Sequence, residues 1–471
     1  MNEQSNLLQA NESISVTERI ITGFSDLAWG TPLLVLLLGG GLFFLLYSRM
    51  LPFRYFRHAI AILLGRYDDP NEPGHINHYQ ALSTALAATV GMGNITGVAL
   101  AITMGGPGAI FWMWVSALLG VTTKYFTCTL AVMFRGQDSN GELQGGPMYV
   151  IVKGLGQNWR PLAVFFSVTG MIGVLPMFQV NQLTQVVRDV VLIPNQVEAG
   201  FTSNLVSGIL VAILVGVVIF GGIKRIGKVT GRMVPIMVAL YVGLVLYIIF
   251  SNTGNILPSF ALIFRDAFTA KSVLGGSLGA LVITGVRRAA FSNEAGIGTA
   301  PMAHGAAKTN EPVREGLVAM LGPVVDTIVV CTMTALALIM TGVWNAGESD
   351  GITMTADAFE RAMPGIGAYL LTICVAVFSI STMLSFPYYG TKCFSFIFGA
   401  RHSYIYKWFY LLTIPLGAVS TLGTVVGIFD GAYALMAFPT MLSALLLSPH
   451  VVRASKDYFK RLKSKPDHGK S

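Results

Sequence analysis

Charge is scarce in this chain: Asp, Glu, Lys and Arg make up 11% of its 471 residues, against 53% hydrophobic residues. Soluble globular domains carry about a quarter charged residues. The composition excludes a set of soluble domains and predicts a polytopic, all-α membrane protein with one large helical body. Cysteine is sparse too. Cys128, Cys331, Cys374 and Cys393 lie in or beside apolar runs, with no CxxC pair and no His-rich neighbourhood, which argues against a disulfide framework or a zinc site. A Gly-x-x-x-x-Gly-Lys-Ser/Thr loop is missing, so ATP is not the driver, and HExxH is missing, so a membrane hydrolase has no visible metal site. Residues 1–22 are polar and slightly acidic, without the pattern of a signal peptide.

What the chain has in quantity is apolar runs. Eleven are read as spans: Asp26 to Tyr47, His78 to Gly105, Pro107 to Phe134, Pro161 to Val187, Asn204 to Gly222, Met233 to Phe250, Gly276 to His304, Gly316 to Met340, Ile366 to Phe398, Tyr404 to Thr424 and Ala432 to Ser448. With the N-terminus outside, 23 Lys and Arg fall on the cytoplasmic side and five (Arg19, Arg188, Arg265, Lys271, Arg361) on the other; Lys124, Arg287 and Arg288 lie inside spans. This asymmetry predicts an odd number of spans in a multi-pass cell-membrane protein with a cytoplasmic tail. Met50 to Leu64 mixes Arg54, Arg57 and His58 with Phe53, Tyr55, Phe56, Ile60 and Leu63, the composition of a basic helix on anionic lipid. The tail from Val451 to Lys465 is similar but more polar and is expected to fray. Neither segment supports nucleic-acid binding.

The second and seventh spans are interrupted. Thr89-Val90-Gly91-Met92-Gly93-Asn94 sits at the centre of an uncharged stretch. Gly weakens a helix interior by about 1 kcal/mol relative to Ala, and Asn in hydrocarbon needs a partner or a cavity. A break there would free the carbonyls of Ala87, Thr89 and Val90 for a hard cation. It would also present free N–H groups around Gly91–Asn94 to a carboxylate. Close packing through small residues explains Gly93 and Gly97 equally well, but not Asn94. The seventh span carries Arg287-Arg288, then Ser292-Asn293-Glu294-Ala295-Gly296-Ile297-Gly298. Unwinding is expected within Ser292–Gly298, with Gly285 a second place. Arg287 or Arg288 is expected to pair with Glu294, or with Asp326 in the next span. Those charges read as a structural bridge or as a proton or cation site.

Two polar stripes accompany the breaks. Phe378, Ser381 and Thr382 share one face of the ninth span, where hydroxyls and a carbonyl could complete an oxygen shell begun by Ala87 and Val90. Back-bonding to the preceding turn accounts for the same hydroxyls. Phe178, Asn181, Gln182 and Gln185 share a face of the fourth span, with Gln179 beside them. Gln179 or Asn181 is placed to hold a polar group of a solute, or the stripe meets water near a mouth. Spans two to six and seven to eleven form five plus five, which predicts an inverted repeat preceded by one extra helix. The expected divisions are 1–75 (extra helix and interfacial segment), 76–251 (first repeat), 252–448 (second repeat) and 449–471 (basic tail).

These motifs resemble the alanine or glycine:cation symporter family, also called the sodium:alanine symporter family. The resemblance rests on Gly91-Met92-Gly93-Asn94-Ile95-Thr96-Gly97-Val98-Ala99 and on Phe291-Ser292-Asn293-Glu294-Ala295-Gly296-Ile297-Gly298. Val325-Asp326-Thr327, Cys331-Thr332, Thr334-Ala335-Leu336 and Tyr388-Tyr389-Gly390 add to it. It covers nearly the whole chain and implies the leucine-transporter (LeuT) fold, with no enzymatic activity. The first break also resembles that of the sodium:neurotransmitter symporters. By that likeness Ala87, Val90, Phe378, Ser381 and Thr382 hold sodium, with Thr89 and Asn94 at the substrate end.

A small neutral amino acid would set its carboxylate on the N–H groups of Gly91 to Asn94, including Gly93. Its ammonium would meet carbonyls around Ser292, Asn293 and Gly296, with Phe178, Gln179, Asn181 and Phe386 nearby. Two departures from the family pattern bear on the substrate: Leu175-Pro176 precedes Met177-Phe178-Gln179, and Ser385-Phe386-Pro387 stands where Gly-Trp is usual. Phe in place of Trp frees volume, so glutamine is an alternative to alanine and glycine. Proton coupling through Asp326 or Glu294 is an alternative to sodium coupling. A channel or sensor is a third reading, and an enzyme ranks last. The expected partners are the amino acid, sodium as coupling ion, and membrane lipids, with no organic cofactor and no obligatory protein partner.

Overall fold

The computed structural model describes residues 16–269, 278–345 and 351–464. Lys271, Lys465 and Lys470 of the charge count, the first two residues of the expected seventh span and the tail beyond Ser464 lie outside the described residues. Among the described residues the chain is almost wholly helical, apart from one small antiparallel ladder pairing Gly136–Gln137 with Leu143–Gln144. Eight helices are long and apolar enough to cross a membrane. His78–Thr89 and Met92–Gly105 make a further span bent by 41°. Leu278–Asn293 with its short continuation Thr299–His304, and the 17-residue helix Ser403–Val419, occupy the remaining expected positions.

Both breaks have local causes. The first broken span starts at a capping box: the Asn77 side chain accepts from Gln80 N at 2.8 Å, and Gln80 Oε1 accepts from Asn77 N at 3.2 Å. It stops at Val90, which is extended. The Asn94 side chain then accepts from Gly91 N at 2.8 Å, supplying a partner that the interrupted ladder no longer provides. In the second broken span, Glu294, Gly296 and Gly298 all take left-handed φ values of +57°, +88° and +114°. Three such residues within five cannot continue a right-handed helix. Gly285, the other place considered for unwinding, lies within Leu278–Asn293. A Cβ there would stand 2.6 Å from Trp112 Cβ, so close helix packing explains that glycine.

Three readings are corrected. The fourth span is itself split: Arg160–Gly173 ends, and Met177–Val186 begins after Pro176, which has no N–H to donate. The basic cluster Lys224, Arg225, Lys228 and Arg232 is not a loop but the first turns of Gly222–Ser251. The tail does not fray within the described residues, because Leu422–Ser464 is one continuous helix. Its end packs on the segment read as lipid-facing. Tyr55 stacks on Phe459 with ring centroids 3.6 Å apart, His58 bonds Tyr458 Oη at 2.8 Å, and Ala59 and Ile62 are fully buried.

Candidate functional site

The two breaks touch. A Cβ placed on Gly93 would lie 3.3 Å from Ser292 Cα and 3.4 Å from the Phe291 ring. Above them runs a π-helical stretch, Val324–Cys331, which wraps the chain wider than an α-helix and turns the Asp326 carboxylate into the seam. Asp326 is fully buried, and both of its oxygens are bonded. Oδ1 accepts from Asn94 Nδ2 at 2.8 Å; Oδ2 accepts from the Ser292 and Thr327 hydroxyls, each at 2.8 Å. Asn94 Nδ2 also reaches Asp326 O at 3.1 Å. One carboxylate therefore fastens the first broken span to the second.

The expected pairing of Arg287 or Arg288 with Glu294 or Asp326 is not what forms. Arg287 bonds Asp430 at 2.6 and 3.1 Å, Asp26 at 2.9 Å and Ser25 at 2.8 Å, while Arg288 points towards Met104 Sδ at 3.8 Å. The reason is helical rise: at about 1.5 Å per residue, both arginines stand roughly 9 Å along the helix from the break. Glu294 takes the Thr299 hydroxyl. The cation in electrostatic reach of both Glu294 and Asp326 is Lys124, fully enclosed in Ala109–Met133. Sequence reasoning gave Lys124 no role. Its signal was a lone charge in the middle of an apolar span.

Beside the first break, four oxygens converge. The Ser381 hydroxyl lies 2.8 Å from Phe378 O and 3.4 Å from Ala87 O; the Thr382 hydroxyl lies 3.1 Å from each of the same carbonyls. Val90 is buried at the break itself, and a Cβ on Gly91 would come within 2.6 Å of Thr382 Oγ1. The donor set is carbonyl and hydroxyl oxygen without a carboxylate, which suits a hard monovalent cation.

On the other side stands an aromatic wall. Phe178 meets Phe291 edge-on at 5.4 Å, and Phe429 stacks on both Phe178 and Phe386 at 6.3 Å. Gln179 is buried and its Oε1 has no partner. Asn181 turns elsewhere, donating to Gly417 O at 3.2 Å and Ser420 O at 2.7 Å. Gln182, the stripe member left out of the expected site, accepts from Thr96 at 3.3 Å on the first broken span. Thr89 is buried, its hydroxyl 3.5 Å from Leu86 O. Asn293 spans the second break, donating to Thr327 at 3.0 Å and accepting from Ala295 N at 3.0 Å. Gly296 faces away: a Cβ there would meet Leu37 at 2.7 Å.

Two helices broken side by side, each unwound where a polar cluster gathers, define a LeuT-like fold. The fold agrees with the solved structure titled "Crystal structure of MhsT in complex with L-phenylalanine", at a TM-score of 0.52 and 12% identity over 81% of this chain and 98% of that one. The chain belongs to the sodium:alanine symporter family, whose model matches residues 14–470. It is 40% identical to "Sodium/alanine symporter AgcS" of Methanococcus maripaludis, over 93% of this chain and 96% of that protein. It is 33% identical to "Probable sodium/glutamine symporter GlnT" of Bacillus subtilis, over 96% of this chain and 93% of that protein. It is thus a multi-pass membrane transporter.

Proposed function

We propose that this protein imports a neutral amino acid by alternating access, driven by sodium. The observation that carries the reading is the convergence of Ala87 O, Phe378 O, Ser381 Oγ and Thr382 Oγ1 beside the first break. Sodium held there, with Val90 O as a further ligand, ties the ninth span to the break and orders it. The solute then lies between the breaks. Its carboxylate takes N–H groups from Gly91 to Asn94, and its ammonium takes carbonyls near Ser292. The wall of Phe178, Phe291 and Phe386 covers its side chain. The chain crosses the membrane eleven times as an inverted repeat behind one extra helix. The end rich in Lys and Arg faces the cytoplasm, following the positive-inside rule. One charge moving down 100 mV supplies about 2.3 kcal/mol for uptake.

Glutamine is the second reading of the substrate. The unpartnered Gln179 Oε1 is the acceptor an amide side chain would use, and a relative carries glutamine in its name. The test is saturable uptake of labelled alanine into proteoliposomes, with and without sodium, against a panel of unlabelled amino acids that includes glutamine. Uptake abolished by sodium removal is the expected result. Uptake that persists without sodium and follows pH would transfer the coupling to a proton, with Asp326 or Glu294 as its carrier.

A further inference from the structure

Far from the solute site, at the end of the molecule that carries the basic loops, three titratable side chains are completely buried together. His78 is the first residue of the first broken span, and His304 is the last residue of the second. Glu315 belongs to the next helix, Pro312–Ala319. Its Oε2 bonds His78 Nδ1, and its Oε1 bonds His304 Nδ1 at 2.5 Å. All three have zero exposure, and neither ring's Nε2 has a hydrogen-bond partner. Both broken spans thus hang from one carboxylate at this end, as they share Asp326 at the centre.

The backbone reinforces the joint. Ile76 and Ala307 form a parallel bridge, with Lys308 N to Ile76 O at 2.6 Å and His75 N to Ala306 O at 2.8 Å. Arg135 laces the joint, donating to Gly305 O at 2.8 Å, to Thr309 O at 3.0 Å and also to Ala307 O. The chain entering the first broken span and the chain leaving the second therefore move together or not at all.

The chemistry of the cluster limits the ways it can carry protons. A carboxylate only accepts, so two neutral rings must both present Nδ1–H to it. The cluster then holds one uncompensated negative charge away from water, together with two bare Nε2 atoms. A proton on either Nε2 gives an imidazolium, a carboxylate and a neutral imidazole, with no net charge, which a dry interior favours. Arg314 and Asp68 act on His78, Arg135 acts on Glu315, and the Cys128 thiol lies in reach of Glu315. Arg314 is itself paired with Glu72 at 3.8 Å. The two arginines oppose the added proton, and Asp68 favours it.

We propose that His78, Glu315 and His304 are a proton-binding latch that holds the cytoplasmic ends of both broken spans closed. One bound proton makes the latch neutral and tight. Its loss from an Nε2 to cytoplasmic water leaves a charged cluster that favours opening and hydration. Acidity at this end therefore slows release of solute inward. The latch rests on the geometry of the cluster; the words cytoplasmic, solute and inward rest on the function and orientation proposed above.

The test uses the full chain in lipid nanodiscs. Hydrogen–deuterium exchange, corrected for the intrinsic pH dependence of amides, is followed in residues 73–89 and 299–309 between about pH 5.5 and pH 8.5, the range of imidazole titration. The expected result is that both segments are protected at low pH. They should lose protection together, by about tenfold per pH unit, the slope of one linked proton. Glu315→Gln should exchange rapidly at every pH, and His78→Gln and His304→Gln should each flatten the profile. If Glu315→Gln fails to fold, the two histidine variants and the wild-type profile carry the test. Protection that ignores pH in the wild type, or segments that open at different pH values, would overturn the latch. Sodium-driven uptake is a separate measurement, so loss of that function would leave the exchange result standing, and the reverse.

Discussion

Asn94 does three things with one amide: it supplies Gly91 N with a partner, grips Asp326, and reaches Cys331 Sγ at 3.3 Å. Its removal strands a buried carboxylate oxygen and a backbone N–H, at about 1–3 kcal/mol each. Asn94→Ala is expected to abolish uptake and also to lower the melting temperature; a normal melting curve with normal uptake would refute this role. Ser381→Ala combined with Thr382→Ala removes two of the four converging oxygens. At about 1 kcal/mol per lost interaction, sodium affinity should fall roughly thirtyfold, read as the sodium concentration for half-maximal uptake. Phe386→Trp fills volume beside Phe429 and should narrow competition towards alanine and glycine, measured against the same panel of amino acids. At this scale the sequence singled out Asn94 and Asp326 as residue types out of place in lipid, and the structure buries both and bonds them to each other. Partners were not legible, because they come from distant spans. Asp430 and Asp26, which meet Arg287, have no sequence relation to it, and neither does Gly417 to Asn181.

Among elements, the breaks were readable because glycine clusters in a span argue against a continuous helix. The split at Val174–Pro176 was signalled by its proline, which the sequence reading took up only for its bearing on the substrate. The π-helical turn around Asp326 had no signal, since nothing in Val324–Cys331 distinguishes a wide turn from an ordinary one. The left-handed positions of the second break make an element-level prediction. Gly298 has φ +114°, and a Cβ there would meet Thr440 Oγ1 at 2.5 Å, whereas a Cβ on Gly97 would meet nothing within 4 Å. Gly298→Ala should therefore destabilise the protein by more than about 1 kcal/mol, and Gly97→Ala should leave it unchanged or slightly more stable. Thermal unfolding of the two variants in the same detergent checks the contrast.

For the whole molecule, hydropathy and the Lys/Arg asymmetry gave the class of the chain, and two short motifs gave its family. What they missed is that the two amphipathic segments, Met50 to Leu64 and the end of the last helix, satisfy each other. Phe459 is buried against Tyr55 and His58, so Phe459→Ala should cost about 3 kcal/mol of stability while leaving sodium dependence intact. A changed sodium dependence would mean that the tail reaches the solute site.

The knot of Arg287, Asp430, Asp26 and Ser25 joins the N-terminal helix, the second broken span and the last span at the opposite end from the latch. Asp430 is sealed from solvent. Parting these segments means rehydrating a guanidinium and a carboxylate at one stroke. Mobile ions barely screen a sealed pair. The rate at which these segments part should accordingly change little as inert electrolyte is raised at constant sodium, save for the share carried by the exposed Asp26.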